Sequence, residues 1–211
     1  MTFLRERFAP EMVTVLARVP GRAIGIIANN TRVMAGAITA SAAEKAARFL
    51  QLCDAFGLPI VSLVDCPGYM VGPAAEAEAL VRRASRMLVA VVLRRGYGPG
   101  AQAMVGGSLH EPLLTVAWPG AHLGPMGLEG AVRLELRKEL EQIADDDERE
   151  ERVRQATAAA EGNAKALNAT ALFEIDDVID PADPCSLIAA TLAAAALHEQ
   201  PPRSQRFVDT W

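Results

Sequence analysis

The sequence predicts an α/β protein with a mostly parallel sheet and flanking helices. Helical and strand patterns alternate along the chain, which is the order expected of this fold class. Residues 60–64 read IVSLV, and so continuous an apolar run is typical of a parallel strand covered on both faces. Strand patterns also run into glycine-containing turns, and ligands of open α/β sheets bind where strands end.

The composition excludes several classes of protein. Hydrophobic residues make up 51% and aromatic residues 5%, so the core must consist of small and branched aliphatic side chains. A net charge of −5 argues against nucleic-acid and anionic-membrane partners. The three cysteines form no CxxC pair and the three histidines are scattered, which predicts reduced thiols and no metal site. Without a signal peptide or a membrane-spanning run, we expect a cytoplasmic protein.

The first elements have clear local signals. Residues 12–27 form two strand patterns around Pro20 and Gly21, which suit the central positions of a type II turn and predict a hairpin. A helix is expected over residues 42–56, where Ser41 caps the N-terminus and Glu44 completes a capping box.

The remaining elements continue the alternation up to a charged end. We expect one domain over residues 1–199 and a loosely ordered tail over residues 200–211. The expected elements are strand 60–64, helix 74–89, strand 90–93, strand 113–118, a long helix from residue 127 to a break at 145–147, helix 148–167, a short segment 173–179 and helix 187–197.

Three glycine-containing segments are candidate functional sites. They are the turn Asp65-Cys66-Pro67-Gly68, the segment Gly96-Tyr97-Gly98-Pro99-Gly100-Ala101 and the helix start Gly124-Pro125-Met126-Gly127. Free N–H groups in such turns can stabilise an oxyanion. Each segment also has an ordinary explanation, as a strand-to-helix connection, a flexible loop or close helix–sheet packing. No nucleophile motif accompanies them, so the residues indicate chemistry based on backbone N–H groups without naming a substrate.

Five segments, in order, carry a family resemblance. The chain resembles the C-terminal half of the carboxyltransferase (β) subunits of biotin-dependent acyl-CoA carboxylases of the acetyl-/propionyl-CoA type. This resemblance implies a crotonase-like ββα superhelix that binds biotin, whereas the N-terminal half of the family binds acyl-CoA. The five segments are residues 21–30, 45–72, 94–104, 117–132 and 173–181.

The resemblance also implies partners and site residues. The enzyme would be an oligomer that works with an N-terminal-type carboxyltransferase chain, a biotin carboxylase and a biotin carboxyl carrier protein, which bears the biotin, on an acyl-CoA substrate. The N–H of Gly100 would be the oxyanion donor, in a turn with Gly98 and Ala101. The implied pocket residues are Gly68, Pro67, Tyr97, Met126 and Gly127.

The sequence departs from the family in three respects. The N-terminal half is absent, the segment before residue 90 is shorter than in relatives, and Pro99 stands where relatives carry Gly or Leu. Proline has no N–H to donate. One alternative is therefore a catalytically impaired relic or assembly subunit, and a third hypothesis is a free-standing enoyl-CoA hydratase or isomerase.

Overall fold

The computed structural model describes residues 1–68 and 88–196. Most of the helix expected over residues 74–89, and the tail expected over residues 200–211, lie outside the described residues. The eight strands of the described part form one mixed sheet, in which β7 pairs with β5 beside the order β1-β2-β3-β4-β5-β6-β8. No helix in this part of the chain is long and apolar enough to cross a membrane.

The predicted hairpin is confirmed. Strands β2 (Met12–Val19) and β3 (Arg22–Asn29) pair antiparallel along their whole length. Gly21 has a φ of 79°, which is the left-handed conformation expected of glycine in the turn. A short β1 (Thr2–Phe3) adds to the antiparallel edge.

The other strands are parallel to one another and to β3. They are β4 (Ile60–Cys66), β5 (Leu88–Tyr97), β6 (Leu114–Ala117), β7 (His122–Gly124) and β8 (Asp177–Val178). Strand β5 is central, because it pairs with β4, β6 and β7. The sheet is thus mostly parallel, as predicted.

The predicted boundary near residue 89 is wrong. Leu88 and Val89 belong to β5, are fully buried, and pair with Ile60 and Val61 of β4. Strand β5 spans 10 residues and is therefore longer than the predicted strand at residues 90–93. Strand pairing and burial here override the helical spacing of the apolar residues.

Helix α1 (Ala40–Ala55) is confirmed, but its predicted cap is wrong. The Thr39 side chain accepts the hydrogen bond from the Ala42 N–H at 3.1 Å, while Ser41 is exposed within the first turn. The helix therefore begins two residues earlier than predicted. Glu44 instead forms an i,i+4 ion pair with Arg48 at 2.9 Å.

The later helices run around the sheet. They are α2 (Gly98–Met104), α3 (Leu128–Glu135), α4 (Arg137–Leu140), α5 (Asp146–Asn163), α6 (Ala166–Ala171) and α7 (Pro184–Ala196). The predicted break is confirmed, but it lies at residues 141–145, because Asp145 caps α5 and Asp146 is already its first residue. The helix predicted over 148–167 is wrong in its last residues. It divides because Ala164 O accepts from Leu123 N–H and Ala166 N–H donates to Ala121 O.

The sheet separates two apolar clusters. Cys66, Ala101 and Met104 belong to the cluster on one face, together with much of α1. The other cluster contains Val91 and Leu192, so it lies between the sheet and α7. The candidate site segments belong to the first face, at the carboxyl ends of β4 and β5.

Candidate functional site

The fold brings the three glycine-containing segments together at the first turn of α2. A Cβ on Gly100 would lie 2.8 Å from Cys66 Sγ and 2.8 Å from the carbonyl carbon of Gly68. A Cβ on Gly98 would lie 2.6 Å from Pro125 O, and Gly98 also has a φ of 57°. Residues 98 and 100 therefore have to be glycine for the three segments to approach this closely.

The segment predicted as a turn is the start of a helix. Tyr97 is the N-cap of α2, so Gly98, Pro99 and Gly100 are its first three residues. First-turn N–H groups have no acceptor within their own helix. Proline fits position 99 because it has no N–H and its φ is helical. The N–H groups of Gly98 and Gly100 therefore remain as donors in the first turn. Ala101 follows and is buried.

The end of β4 forms the second wall. Gly68 has a φ of 135°, and its carbonyl accepts from the Ile38 N–H at 3.2 Å and from the Cys66 thiol at 3.4 Å. Pro67 is half-buried beside it. Burial raises the pKa of the Cys66 thiol to about 11, so this thiol stays protonated near neutral pH.

In the third segment, the backbone of Pro125 contacts α2. A Cβ on Gly127 would meet nothing within 4 Å, so close packing does not explain this glycine. Met126 is 41% exposed, and it is the carbonyl of Pro125 that contacts α2. The sequence did not indicate that Pro125 makes this contact, because the contact depends on the position of β7 beside β5. Gly127 is the N-cap of α3.

Tyr97 lies at the centre of this arrangement. Its side chain is buried, and a Cβ on Gly124 would lie 3.8 Å from its ring. Burial raises the pKa of its hydroxyl, while the nearby Arg95 acts in the opposite direction. A neutral phenol of this kind can donate one hydrogen bond to a ligand.

Asp65, Arg94 and Arg95 form a charged cluster at the carboxyl ends of β4 and β5. Asp65 Oδ2 is 3.0 Å from Arg94 Nε, and Asp65 Oδ1 is 3.0 Å from Arg95 Nε. The sequence left open whether the two arginines bind an anion or are solvated. In the fold both bind Asp65, and the three side chains together carry one net positive charge.

A cleft lies on the opposite face of the sheet. Leu93 and Trp118, which line it, pack against the α7-side cluster, whereas Ala101 of α2 belongs to the other cluster. Its volume is about 580 Å³, and its lining also includes Asp65, Arg94, Pro119, Gly120 and Pro181. The cleft was not predicted, because its walls come from distant segments. Within residues 1–68 and 88–196 no group of three or more His, Cys, Asp or Glu could hold a metal ion.

Comparison with known proteins gives consistent results. A family model described as the carboxyl transferase domain matches residues 4–207. The chain is 38% identical over 208 residues to the methylmalonyl-CoA carboxyltransferase 12S subunit of Propionibacterium freudenreichii subsp. shermanii, covering 93% of this chain and 39% of that protein. It is 38% identical over 202 residues to the biotin-dependent acetyl-/propionyl-coenzyme A carboxylase beta6 subunit of Mycobacterium bovis, covering 90% and 42%.

Solved structures show the same relationship. The transcarboxylase 12S crystal structure, described as a hexamer, matches with a TM-score of 0.80 and 33% identity over 96% of this chain and 40% of that one. A single-chain, multi-domain long-chain acyl-CoA carboxylase matches with a TM-score of 0.78 and 45% identity over 90% and 20%. These neighbours are crotonase-like carboxyltransferases, so the predicted fold class is confirmed. The chain spans less than half the length of these relatives.

Proposed function

Because the chain belongs to the carboxyl transferase domain family, we propose that it supplies the biotin-side half of an acyl-CoA carboxyltransferase active site. The predicted resemblance to carboxyltransferase subunits is confirmed by the matching family model and relatives. The observation that carries the proposal is the convergence of Gly68, Gly98 and Gly100. Gly100 approaches Gly68, and Gly98 approaches Pro125, so closely that neither position has room for a side chain.

The proposed chemistry depends on electrostatic stabilisation by the main chain. Carboxybiotin is the substrate on this side, and it supplies the carboxyl group that is transferred to the acyl-CoA. The N–H of Gly100, with that of Gly98, donates to the ureido oxygen and stabilises negative charge there. Preorganised donors of this kind typically contribute about 10²–10³-fold each to the rate. This mechanism requires no nucleophilic side chain, which agrees with the lack of a nucleophile motif in the sequence.

The described residues fit this substrate. Gly68 packs directly against Gly100, Ala101 is the small residue that follows it, and the Tyr97 hydroxyl provides a further polar group. Pro67, Met126 and Gly127 complete the proposed pocket. The net positive charge of the Asp65 cluster favours an anionic substrate nearby.

The proposed partners follow from the relatives. Biotin would arrive on a carrier protein after a biotin carboxylase has carboxylated it, and an N-terminal-type carboxyltransferase segment would bind the acyl-CoA. We propose one domain over residues 1–199 in a cytoplasmic homo- or hetero-oligomer. The relatives and neighbours described above are named as carboxyltransferases or carboxylases, and none of them favours an impaired subunit or a hydratase.

Reconstitution tests the proposal. The full chain is mixed with a separately produced N-terminal-type segment of a relative, and carboxyl transfer from methylmalonyl-CoA to free biotin is measured. Transfer is expected only when both polypeptides are present. The proposal fails if no N-terminal-type segment produces transfer with this chain. Transfer that arises only with Pro99→Gly would instead favour the impaired-subunit hypothesis.

A further inference from the structure

Strand β4 carries a buried carboxylate that the proposed chemistry does not use. We propose that Asp65 is a positioning residue, which fixes the Gly68 turn against the first turn of α2 through Arg95. This inference rests on the proposed function, because it assigns Asp65 a role in setting the geometry of the donor N–H groups. Asp65 itself is not a catalytic base here, because each of its oxygens accepts from a guanidinium.

The pairing of β4 with β5 shows how one carboxylate reaches two consecutive arginines. Val64 pairs with Val92, and Cys66 pairs with Gly96, with a register shift between them. One residue of β4, Asp65, therefore faces three residues of β5, numbers 93–95. Such a bulge lets consecutive side chains point toward the same partner, and bulges frequently occur next to active sites.

The bulge determines where α2 begins. Arg95 is followed by Gly96 and by Tyr97, the N-cap of α2. By holding Arg94 and Arg95, the Asp65 carboxylate maintains the extra residues of β5 and thereby places Gly98 and the rest of α2. If the bulge relaxed, the start of α2 would move relative to the end of β4.

Asp65 and Arg95 also hold the loop of residues 34–36, which precedes α1. Arg95 also donates to Ala35 O at 2.6 Å, and the Asp65 N–H donates to Asn29 Oδ1 at 3.2 Å. Asn29 Nδ2 in turn donates to Gly36 O at 3.0 Å. A Cβ on Gly36 would lie 2.6 Å from Asp65 O, so the loop is in close contact with β4.

This loop is strained and needs external contacts. Met34 and Ala35 have φ values of 47° and 55°, although neither is glycine. Non-glycine residues keep such conformations only where their surroundings enforce them. The loop leads to Ile38, whose N–H donates to Gly68 O, and Gly68 touches Gly100. These contacts thus connect Asp65, through Arg95 and the loop, to Gly68 and the first turn of α2.

Two variants and one control test the proposal on the full chain. Asp65→Asn has the same shape but loses charge and one acceptor, while Arg95→Lys keeps the charge and cannot bridge Asp65 and Ala35 in the same way. Arg152→Gln is the control, because it removes an exposed ion pair between Arg152 of α5 and Glu139 of α4, far from the proposed site in sequence. Two readouts are compared, namely steady-state kinetics in the reconstituted assay and hydrogen–deuterium exchange.

We expect Asp65→Asn to lower kcat by about 10²-fold, since a misplacement of about 1 Å has that effect. The KM for acyl-CoA should not change, because the other polypeptide binds it. Amide exchange should accelerate in the peptide covering residues 98–104 and stay unchanged in residues 146–163. Arg95→Lys should shift kcat and exchange in the same direction, and Arg152→Gln should shift neither.

Each outcome decides the proposal. If Asp65→Asn does not fold, Arg95→Lys provides the result. If the native chain shows no carboxyl transfer, the proposed function fails, but exchange over residues 98–104 still tests the positioning role. Uniformly faster exchange along the chain, or a raised KM with an unchanged kcat, would overturn the proposal in favour of a purely structural ion pair. Exchange and kcat equal to those of the control would do the same.

Discussion

Replacing Gly100 by Ala tests the close approach of α2 to the end of β4. The new Cβ would lie 2.8 Å from Cys66 Sγ and from the Gly68 carbonyl carbon, and 2.9 Å from Gly68 Cα. Ordinary contact begins at 3.4 Å, so α2 or the Gly68 turn has to move by at least 0.6 Å. Two of the three contacts are with backbone atoms, which cannot rotate away as a flexible side chain could.

This displacement is large enough to affect both activity and stability. A shift approaching 1 Å at donor N–H groups lowers the rate by about 10²-fold, so we expect a loss of about 10–10²-fold in kcat. Overpacking of this kind also destabilises a fold by about 1–3 kcal/mol. The free energy of unfolding is measured by urea denaturation, and kcat by the reconstituted carboxyl transfer assay at temperatures where the variant is folded.

Gly162→Ala is the matched control. Gly162 lies within α5, and a Cβ there would meet nothing within 4 Å. Gly162 is the penultimate residue of this helix, where alanine is tolerated at least as well as glycine, so this variant should keep its stability and be fully active. The reasoning is refuted if Gly100→Ala transfers carboxyl groups as fast as Gly162→Ala.

Three further predictions concern the fold. Lys45 is buried, and its Nζ donates to three backbone carbonyls at 2.8, 3.3 and 2.7 Å. Lys45→Met should therefore lower the free energy of unfolding by about 3 kcal/mol. An unchanged midpoint of urea denaturation would contradict this. Thr39→Ala should lower the free energy of unfolding by about 1 kcal/mol because it removes the cap of α1, whereas Ser41→Ala should not change it. If thermal melts showed the opposite order, Ser41 would be the cap, as the sequence predicted. The Cys66 thiol, whose pKa burial raises to about 11, should resist a thiol reagent at pH 8, while the exposed Cys185 is labelled. Because this pKa is raised in the folded state, Cys66 stabilises the fold fully below its unfolded pKa, and this contribution is lost as the pH rises toward 11.

The glycine segments illustrate how far sequence reasoning reached into the candidate site. Their composition marked them as places for close backbone approach, and the fold does bring Gly68, Gly98 and Gly100 together. Their spacing did not reveal that the central segment is a helix start, in which Pro99 is an acceptable residue. Nor did it reveal that Pro125 rather than Gly127 makes the contact with α2.

Charged residues were harder to interpret from sequence. Arg94 and Arg95 are adjacent, and adjacent strand residues normally point to opposite faces of a sheet. Only the bulge opposite Asp65 allows both to bind the same carboxylate, and that bulge results from pairing between strands distant in sequence. Pairing between distant strands also explains the start of β5, because Leu88 and Val89 pair with Ile60 and Val61 of β4.

The sequence by itself determined the features that neighbouring residues decide, namely the hairpin at Pro20 and Gly21, the body of α1, and the alternation of helices and strands. Local propensities and short-range hydrogen bonds suffice for those features. The tertiary structure decided the break between α5 and α6, and the contacts that connect Asp65 to Gly100. These depend on contacts between residues far apart in the chain, and the energies of such contacts exist only once the sheet has assembled.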